Sequence, residues 1–186
     1  MLSILEYSHK LLSEALQHGD YALDGTVGNG HDTSLLAEAV GPDGKVFGFD
    51  IQKLAINNTR SVLEERQLDY QVVLFNQGHE TIDEVIPLET ELSAAIFNLG
   101  YLPKGDKTII TLPETTLKAF DGVLKRLKQG GRLVIVVYYG HPGGLEEKHA
   151  VENFAGGLDQ KEFEVLSYKF INQKNNPPFI IAIEKR

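Results

Sequence analysis

The 186-residue sequence contains no cysteine. This absence excludes a disulfide framework, a thiolate metal site and a cysteine nucleophile, and it is typical of a protein from a reducing compartment. No segment approaches the ~20 consecutive apolar residues of a membrane-spanning helix. The N-terminus carries Glu6, His9, Lys10 and Glu14 among its apolar residues, so it lacks the apolar core of a signal peptide. We therefore expect a cytoplasmic protein without a membrane partner.

Positive charge is also scarce. The chain has 18 Lys and Arg against 26 Asp and Glu, and its formal net charge is -8. This balance argues against a non-specific nucleic-acid binder, which would need a basic face. The candidate RNA-facing basic residues, called here the basic cluster, are Lys104, Lys107, Lys118, Lys125, Arg126, Lys128 and Arg132. An ordinary solvated surface is the other interpretation of this cluster.

Strand-like and helix-like segments alternate along the chain, which predicts one domain over residues 1–186 with a parallel sheet. We predict helices over residues 2–18, 32–40, 53–66, 79–86, 113–129 and 144–157. The predicted strands are YALDGT, KVFGFDI, YQVVLF, LSAAIFNLG, RLVIVVYY, FEVLSYKFI and FIIAIEK.

The last two strands are separated only by the turn NQKNNPP, so they must be antiparallel, because a parallel return needs a crossover of a dozen or more residues. Five strand-helix units followed by an antiparallel hairpin are the pattern of Rossmann-like class I methyltransferases. The fold class predicted is therefore α/β, with a seven-stranded, mostly parallel sheet and helices on both faces.

A glycine-rich loop follows the first predicted strand, in LDGTVGNGHDTSLL. Glycines can adopt positive φ and leave room for a ligand against bare backbone, and Asp32 or Thr33 can cap the next helix. The dinucleotide fingerprint would place its third glycine at Thr33, which weakens a pyrophosphate site. The spacing D-x-x-x-G-x-G resembles the methyltransferase motif instead, and Asp24 could meet the ammonium group of a methionine-derived ligand. An ordinary tight turn is the alternative.

An acidic residue after the second strand strengthens the cofactor interpretation. Asp50 lies 20 residues beyond Gly30, where it could accept hydrogen bonds from both ribose hydroxyls. Gln52, Gly78 and His79 are weaker candidates for the adenosine side, and His79 could instead cap a helix. We assign S-adenosylmethionine as the cofactor, with these candidate binding residues: Asp24, Thr26, Gly28, Asn29, Gly30, His31, Asp32, Thr33, Asp50, Gln52, Gly78, His79 and Asn98.

The fourth predicted strand delivers the segment FNLGYLP, which we interpret as the methyl-transfer site. Methyl transfer from a sulfonium to nitrogen is an in-line displacement, so the protein must mainly orient a neutral lone pair. Asn98 and the carbonyl of Leu99 could accept the N–H bonds of an amine, with Tyr101 as the adjacent aromatic ring. The segment departs from the N-P-P-[FY] signature of amine methyltransferases at Leu99 and Gly100.

The literal N-P-P-F match lies in the last hairpin, at Asn176 to Phe179. Its turn should lie at the carboxyl end of the sixth strand, so Asn176 and Pro177 could wall a substrate pocket or could simply form a turn. Tyr138, Tyr139 and His141 are further substrate candidates, because aromatic rings stack on unpaired RNA bases. Buried sheet-edge tyrosines are the alternative. No ligand spacing typical of a metal site occurs, so we expect no metal.

The blocks DGTVGNGHDTSLLA, FNLGYLPKGDK, YYGHPGG and NNPPFIIAIEK together resemble the YtqB/MnmM family. The resemblance implies a bacterial enzyme that methylates 5-aminomethyl(-2-thio)uridine at the tRNA wobble position, with the anticodon arm as partner. Two alternatives stay open, namely methylation of rRNA or of a small amine, and a nucleotide-binding module without catalysis. The sequence does not fix the oligomeric state, for which a homodimer is one option.

Overall fold

A seven-stranded sheet forms the centre of the protein, in a computed structural model that describes residues 1–102 and 108–186. The strands are β1 (Tyr21–Asp24), β2 (Lys45–Phe49), β3 (Val72–Phe75), β4 (Leu92–Leu99), β5 (Leu127–Val137), β6 (Phe163–Tyr168) and β7 (Phe179–Lys185). The helices are α1 (Ile4–Ala15), α2 (His31–Val40), α3 (Lys53–Glu65), α4 (Ile82–Val85), α5 (Pro113–Arg126) and α6 (Gly144–Gly156). None of these helices is long and apolar enough to cross a membrane.

The strand order is β3-β2-β1-β4-β5-β7-β6. Strands β1 to β5 pair in parallel, whereas β7 lies antiparallel between β5 and β6. The predicted fold is thereby confirmed, including the antiparallel C-terminal hairpin. The chain order reverses between β1 and β4, and ligands of open α/β sheets bind at such a switch point, beyond the carboxyl ends of the strands. We call that side of the sheet the carboxyl edge.

Both faces of the central strands are buried beneath helices. Successive side chains of a strand point to opposite faces, so neighbouring residues belong to different core clusters. On β4, Ala94 and Ile96 belong to the core cluster that includes α1 and α2 residues. Phe97 and Leu99 belong to the opposite cluster, with residues of α5 and α6. Each fully buried apolar side chain contributes roughly 1.5–3 kcal/mol. The loops of the carboxyl edge therefore stand on a rigid support.

Helix α1 begins with a capping box and is tied to the sheet at its other end. The Ser3 hydroxyl accepts the Glu6 N–H at 3.2 Å, and the Glu6 carboxylate accepts the Ser3 N–H at 2.8 Å. Near the C-terminus of α1, the guanidinium of Arg132 from β5 donates to the Leu11 carbonyl and to the Glu14 carboxylate. These contacts fix how α1 lies across the sheet.

The boundary between α5 and β5 differs from the prediction. The helix was expected to continue to Gln129, with the following glycines as its exit, but α5 ends at Arg126 and β5 already begins at Leu127. Leu127 pairs with Leu92 of β4. The buried Arg126 guanidinium donates to the carbonyls of Ile86, Pro87 and Gly122, which holds the chain at this point. Tertiary contacts therefore override the local helical preference.

Candidate functional site

Two neighbouring cavities lie at the carboxyl edge, beside the switch point between β1 and β4. The first has a volume of about 240 Å³ and is lined by the loops after β1, β2, β3 and β4. The second, of about 760 Å³, is lined by α1, the loops after β1, β4 and β5, and the β6–β7 turn. Residues lining both cavities are Thr26, Gly28, Asn98, Gly100 and Tyr101. These shared residues make the loops after β1 and β4 the junction of the two spaces.

The loop after β1 needs glycine for space and for backbone conformation. A Cβ atom at Gly25 would lie only 2.1 Å from the Phe97 ring, so a side chain at this position would clash with that ring. Gly28 and Gly30 have φ values of +52° and +81°, in the left-handed region that favours glycine. The glycine loop predicted from the sequence is thus a bare-backbone turn against the central strands.

Asp24 lies beneath this loop and does not line either cavity. Its carboxylate is fully buried and accepts hydrogen bonds from the Thr26 N–H at 3.1 Å and the Thr33 hydroxyl at 2.6 Å. Burial, and then the charge of Asp32, raise the pKa of Asp24 to about 7. The sequence predicted that Asp24 would contact the ammonium group of a ligand. In the structure its carboxylate instead makes hydrogen bonds that shape the glycine loop.

The predicted cap of α2 is wrong. The helix begins at His31 with Gly30 at its N-cap, and no side chain caps it. Thr33 instead bonds to Asp24, and Asp32 bonds to residues of two other elements. Of the two side chains expected to cap the helix, Asp32 thus lines the second cavity and Thr33 supports the glycine loop through Asp24.

Asp50 follows β2 and lines the first cavity. Its carboxylate accepts the Gly28 N–H at 3.2 Å and the Gln52 N–H at 2.9 Å. Burial raises the pKa of Asp50, and the two backbone N–H groups oppose that shift. A carboxylate has about four acceptor positions, so further lone pairs are available for hydroxyl groups in the cavity.

His79 follows β3 and also lines the first cavity. Its Nδ1 is 3.0 Å from the Gly25 carbonyl oxygen, so Nδ1 carries the proton and donates. Burial lowers the pKa of the imidazole and favours its neutral form. Nε2 is then an acceptor, and it is buried without a hydrogen-bond partner among the described residues. The helix-cap alternative is wrong, because Gly78 occupies the cap position.

Asn98, near the end of β4, lies between the two cavities. Its backbone N–H donates to the Thr26 hydroxyl at 2.7 Å, and its side-chain Nδ2 donates to Asp32 Oδ2 at 2.7 Å. The other oxygen of Asp32 lies 2.6 Å from Nε2 of His9 in α1. Sequence reasoning missed His9, because its partner Asp32 lies 23 positions away in the chain and no local pattern links them.

Leu99 and Tyr101 occupy different parts of this junction. The Leu99 carbonyl, predicted as an amine acceptor, already accepts the Tyr138 N–H at 3.0 Å. It retains one lone pair, and Leu99 lines only the second cavity. Tyr101 lines both cavities, with its ring edge-on to His141 at a centroid distance of 5.7 Å. The aromatic position predicted beside Asn98 is therefore present.

The substrate candidates are only partly brought together. Tyr138, His141 and Asn176 line the second cavity. Tyr139 does not, because its ring packs against Phe179 at 5.9 Å in the core, beneath the Lys148 ammonium group. Tyr139 is therefore partly buried against the core, closer to the buried-tyrosine alternative than to a substrate contact.

The remaining predicted residues divide between the cavities as follows. Gln52 and Gly78 line the first cavity with Asp50 and His79. Asn29, His31 and Asp32, assigned to the cofactor from the sequence, line the second. Gly30, Thr33 and Pro177 line neither. Within residues 1–102 and 108–186, no group of three acidic or histidine side chains is placed to hold a metal ion.

In the part of the chain that the structure describes, the members of the basic cluster lie beside carboxylates. Arg126 is buried and paired with Asp83 at 2.5 Å, so the prediction is wrong for this residue. Lys128 pairs with Asp20, and Arg132 pairs with Glu14 and Glu184. Lys118 and Lys125 also lie beside carboxylates. Lys104 and Lys107 lie outside the described residues.

Comparisons with known proteins agree with this geometry. A family model described as "Putative rRNA methylase" matches residues 46–184. The chain is 37% identical over 188 residues to "tRNA (mnm(5)s(2)U34)-methyltransferase, chloroplastic" of Arabidopsis thaliana, covering 97% of this chain and 69% of that protein.

Solved structures give the same result. A "putative rRNA-methylase" from Clostridium thermocellum has a TM-score of 0.97 at 44% identity, covering 100% of this chain and 99% of that one. A "putative methyltransferase" from Streptococcus mutans, in complex with SAH, has a TM-score of 0.90 at 44% identity over the same shares of the two chains. With its switch-point cavities and glycine loop, this chain therefore belongs to the "Putative rRNA methylase" family of class I methyltransferases.

Proposed function

We propose that this protein is an S-adenosylmethionine-dependent N-methyltransferase that converts 5-aminomethyl(-2-thio)uridine to 5-methylaminomethyl(-2-thio)uridine at the tRNA wobble position. The observation that carries the proposal is the Asn98 amide, held by Asp32 at the junction of two cavities. The printed activity of the Arabidopsis relative, similar over nearly the whole chain, supports this choice of substrate.

The first cavity suits the nucleoside part of the cofactor. Asp50 keeps acceptor positions for ribose hydroxyls, and the buried His79 Nε2 is an unpaired acceptor for an N–H or O–H group. Gly28 leaves bare backbone at the cavity wall. When bound, S-adenosylmethionine supplies an electrophilic methyl carbon on a sulfonium. The residues present therefore fit the cofactor.

The chain's contribution to the transfer is orientation. Nδ2 of Asn98 is committed to Asp32, so Oδ1 is available to accept an N–H of an amine and to direct the nitrogen lone pair. Accurate placement supplies much of the rate, and no strong base is needed once the amine is neutral. The missing cysteine agrees with nitrogen as the acceptor, since a ring carbon would call for a nucleophilic thiolate.

The second cavity is large enough for a base. Tyr138 from the β5 loop and Tyr101 from the β4 loop line this cavity, and the two residues are 42% and 39% exposed. An exposed aromatic ring offers a stacking face for an unpaired base. We therefore place the wobble nucleoside in the second cavity and the anticodon arm across its mouth.

Nucleoside mass spectrometry tests the proposal. tRNA from a strain that lacks the gene, which should retain 5-aminomethyl(-2-thio)uridine at the wobble position, is incubated with protein and S-adenosylmethionine, with rRNA from that strain and small alkylamines in parallel. We expect 5-aminomethyl(-2-thio)uridine to decrease and its N-methyl derivative to appear in tRNA alone. Methylation of rRNA would instead favour the activity in the family description, and methylation of free amines alone would indicate a small-molecule enzyme. Cofactor binding without methylation of any substrate would identify a non-catalytic module.

A further inference from the structure

Three side chains from separate elements form a hydrogen-bonded chain that ends at the junction of the cavities. His9 of α1 lies with Nε2 at 2.6 Å from Asp32 Oδ1, and Asp32 Oδ2 accepts from Asn98 Nδ2 at 2.7 Å. Exposure decreases from the His9 side chain, at 28%, to that of Asp32, at 11%. His9 itself lines neither cavity. The direct hydrogen-bond link from His9 to the site therefore runs through Asp32.

The two ends of an asparagine amide have nearly the same shape but opposite hydrogen-bonding character. The NH₂ group only donates and the oxygen only accepts. If the Asn98 amide rotated by 180°, its NH₂ group would take the place of the oxygen toward an incoming amine. A donor there cannot accept the amine's N–H bonds. Catalysis by Asn98 thus depends on which end of the amide faces the substrate.

Asp32 can select the correct end only while it is ionised and fixed. An ionised carboxylate offers no donor, so it bonds favourably to Nδ2 and unfavourably to Oδ1 of Asn98. Asp24 is a second carboxyl group near Asp32, and burial first, then the charge of Asp32, raise the pKa of Asp24. A carboxylate that must keep one position needs a donor for its other oxygen. His9 supplies that donor from the solvent side.

We propose that His9 is a positioning residue that fixes the orientation of the Asn98 amide through Asp32. This inference rests on the proposed function, because it gives the amide orientation a role in methyl transfer. It assigns α1 a part in the reaction, although α1 precedes the strand-helix units of the methyltransferase fold.

The test compares His9→Ala, His9→Gln and the exposed-histidine control His149→Ala in the full-length protein. Misplacing a reacting group by about 1 Å costs on the order of a hundredfold in rate. Because His9 acts only indirectly, we expect His9→Ala to lower kcat by less, about tenfold. The affinity for SAH should stay within about twofold of wild type, because His9 does not touch the first cavity. The Gln side chain can donate to Asp32, so His9→Gln should restore most of kcat. His149→Ala should behave as wild type.

The double variant His9→Ala, Asn98→Ala separates positioning from general stability. If His9 acts through Asn98, removing it from the Asn98→Ala protein should cost nothing further. A full multiplication of the two effects would overturn the proposal, as would an unchanged kcat in folded His9→Ala. If His9→Ala does not fold, a folded His9→Gln protein with strongly reduced kcat would have the same consequence.

An NMR readout works without turnover. In ¹⁵N-labelled protein, the side-chain NH₂ resonances of Asn98 should shift and broaden in His9→Ala and stay unchanged in His149→Ala. Unchanged resonances in His9→Ala would refute the coupling even if no substrate were methylated. Failure of wild-type protein to methylate tRNA, with the resonances shifted as expected, would instead refute the proposed function alone.

Discussion

The carboxyl edge has an inner part and an outer part that are built differently. The inner part, formed by the loops after β1, β2 and β4, holds its polar side chains in buried or part-buried hydrogen bonds, as for Asp24 and Asn98. The outer part, formed by the loop after β5 and the β6–β7 turn, presents the exposed Asn176 and Tyr138, which is 42% exposed. A reacting nitrogen must be placed to a fraction of an ångström, whereas recognition of a large substrate tolerates adjustment.

The two asparagines illustrate this difference. Asn98 lies at the end of a central strand and is held at both its backbone and its side chain. Asn176 carries the literal N-P-P-F sequence, but it lies in an exposed turn with φ of +52° and lines only the second cavity. Position in the fold, rather than the four-letter signature, decides which asparagine can orient a methyl acceptor.

The largest expected effect is that of Asn98→Ala. Without the amide, the amine loses its acceptor, and kcat for tRNA methylation should fall on the order of a hundredfold. The affinity for SAH, measured by calorimetry, should stay near wild type. Activity near wild type in Asn98→Ala, together with loss of turnover in Asn176→Ala at saturating tRNA, would reverse the comparison between the two parts of the edge.

Asp50→Ala should act on cofactor binding. Loss of a charged acceptor costs about 1.5–3 kcal/mol, which corresponds to a Kd for S-adenosylmethionine roughly 10- to 100-fold higher. Calorimetry on folded protein measures this change, and Asp43→Ala, in an exposed turn before β2, is the matched control. Equal affinities of the two variants would remove Asp50 from the cofactor site.

Asn176→Ala should show the smaller effect expected of the outer part. The Michaelis constant for tRNA should rise about three- to tenfold with kcat nearly unchanged, as happens when a residue contributes to binding alone. Steady-state kinetics over a range of tRNA concentrations separates the two parameters. A reduced kcat at saturating tRNA would place Asn176 in the reacting part of the site.

Asp24→Asn tests the buried character of the inner part through stability. The pKa of Asp24 is raised to about 7, so the folded protein binds this proton more tightly than the unfolded chain does. Asp24 therefore lowers the stability of the wild type progressively as pH rises from about 4 to 7. The lowered pKa of His79 acts in the opposite direction, because stability is lost there as pH falls.

The informative quantity is therefore the difference between variant and wild type. An asparagine stays neutral at every pH, so the Tm of Asp24→Asn relative to wild type should increase by a few degrees between pH 5 and pH 7.5. Thermal unfolding followed by circular dichroism measures it, with Asp43→Asn as the exposed control. A difference that does not change with pH would mean that Asp24 is ionised throughout this range.

The order of elements and the antiparallel hairpin were predictable, because hydrophobic periodicity and connection length are local properties of the sequence. The placement of Asp50 and Asn98 at the carboxyl edge was predictable for the same reason, since Asp50 directly follows β2 and Asn98 is the penultimate residue of β4. The early end of α5 was not, because the pairing of Leu127 with Leu92 depends on residues far apart in the chain.

The errors at the site have the same origin. His9 and Asn98 are linked through Asp32 across 89 positions of sequence, from 9 to 98, and no short pattern records that contact. Tyr138 and Tyr139 are chemically identical neighbours on alternate sides of the chain. Tyr138 lines the second cavity, whereas the partly buried Tyr139 packs against the core. Which of two adjacent tyrosines faces a ligand is decided by strand register.

The insertion of β7 between β5 and β6 has an evolutionary consequence. Residues 169–178 connect these two outer strands at the carboxyl edge, are mostly exposed, and lie apart from the hydrogen bonds of Asn98. Closing a longer loop is cheap, at about 0.6 kcal/mol for each doubling of its length. This turn can therefore change in length or composition while the reaction centre stays intact. Substrate preference can thus diverge between lineages while the residues that orient the methyl acceptor stay the same.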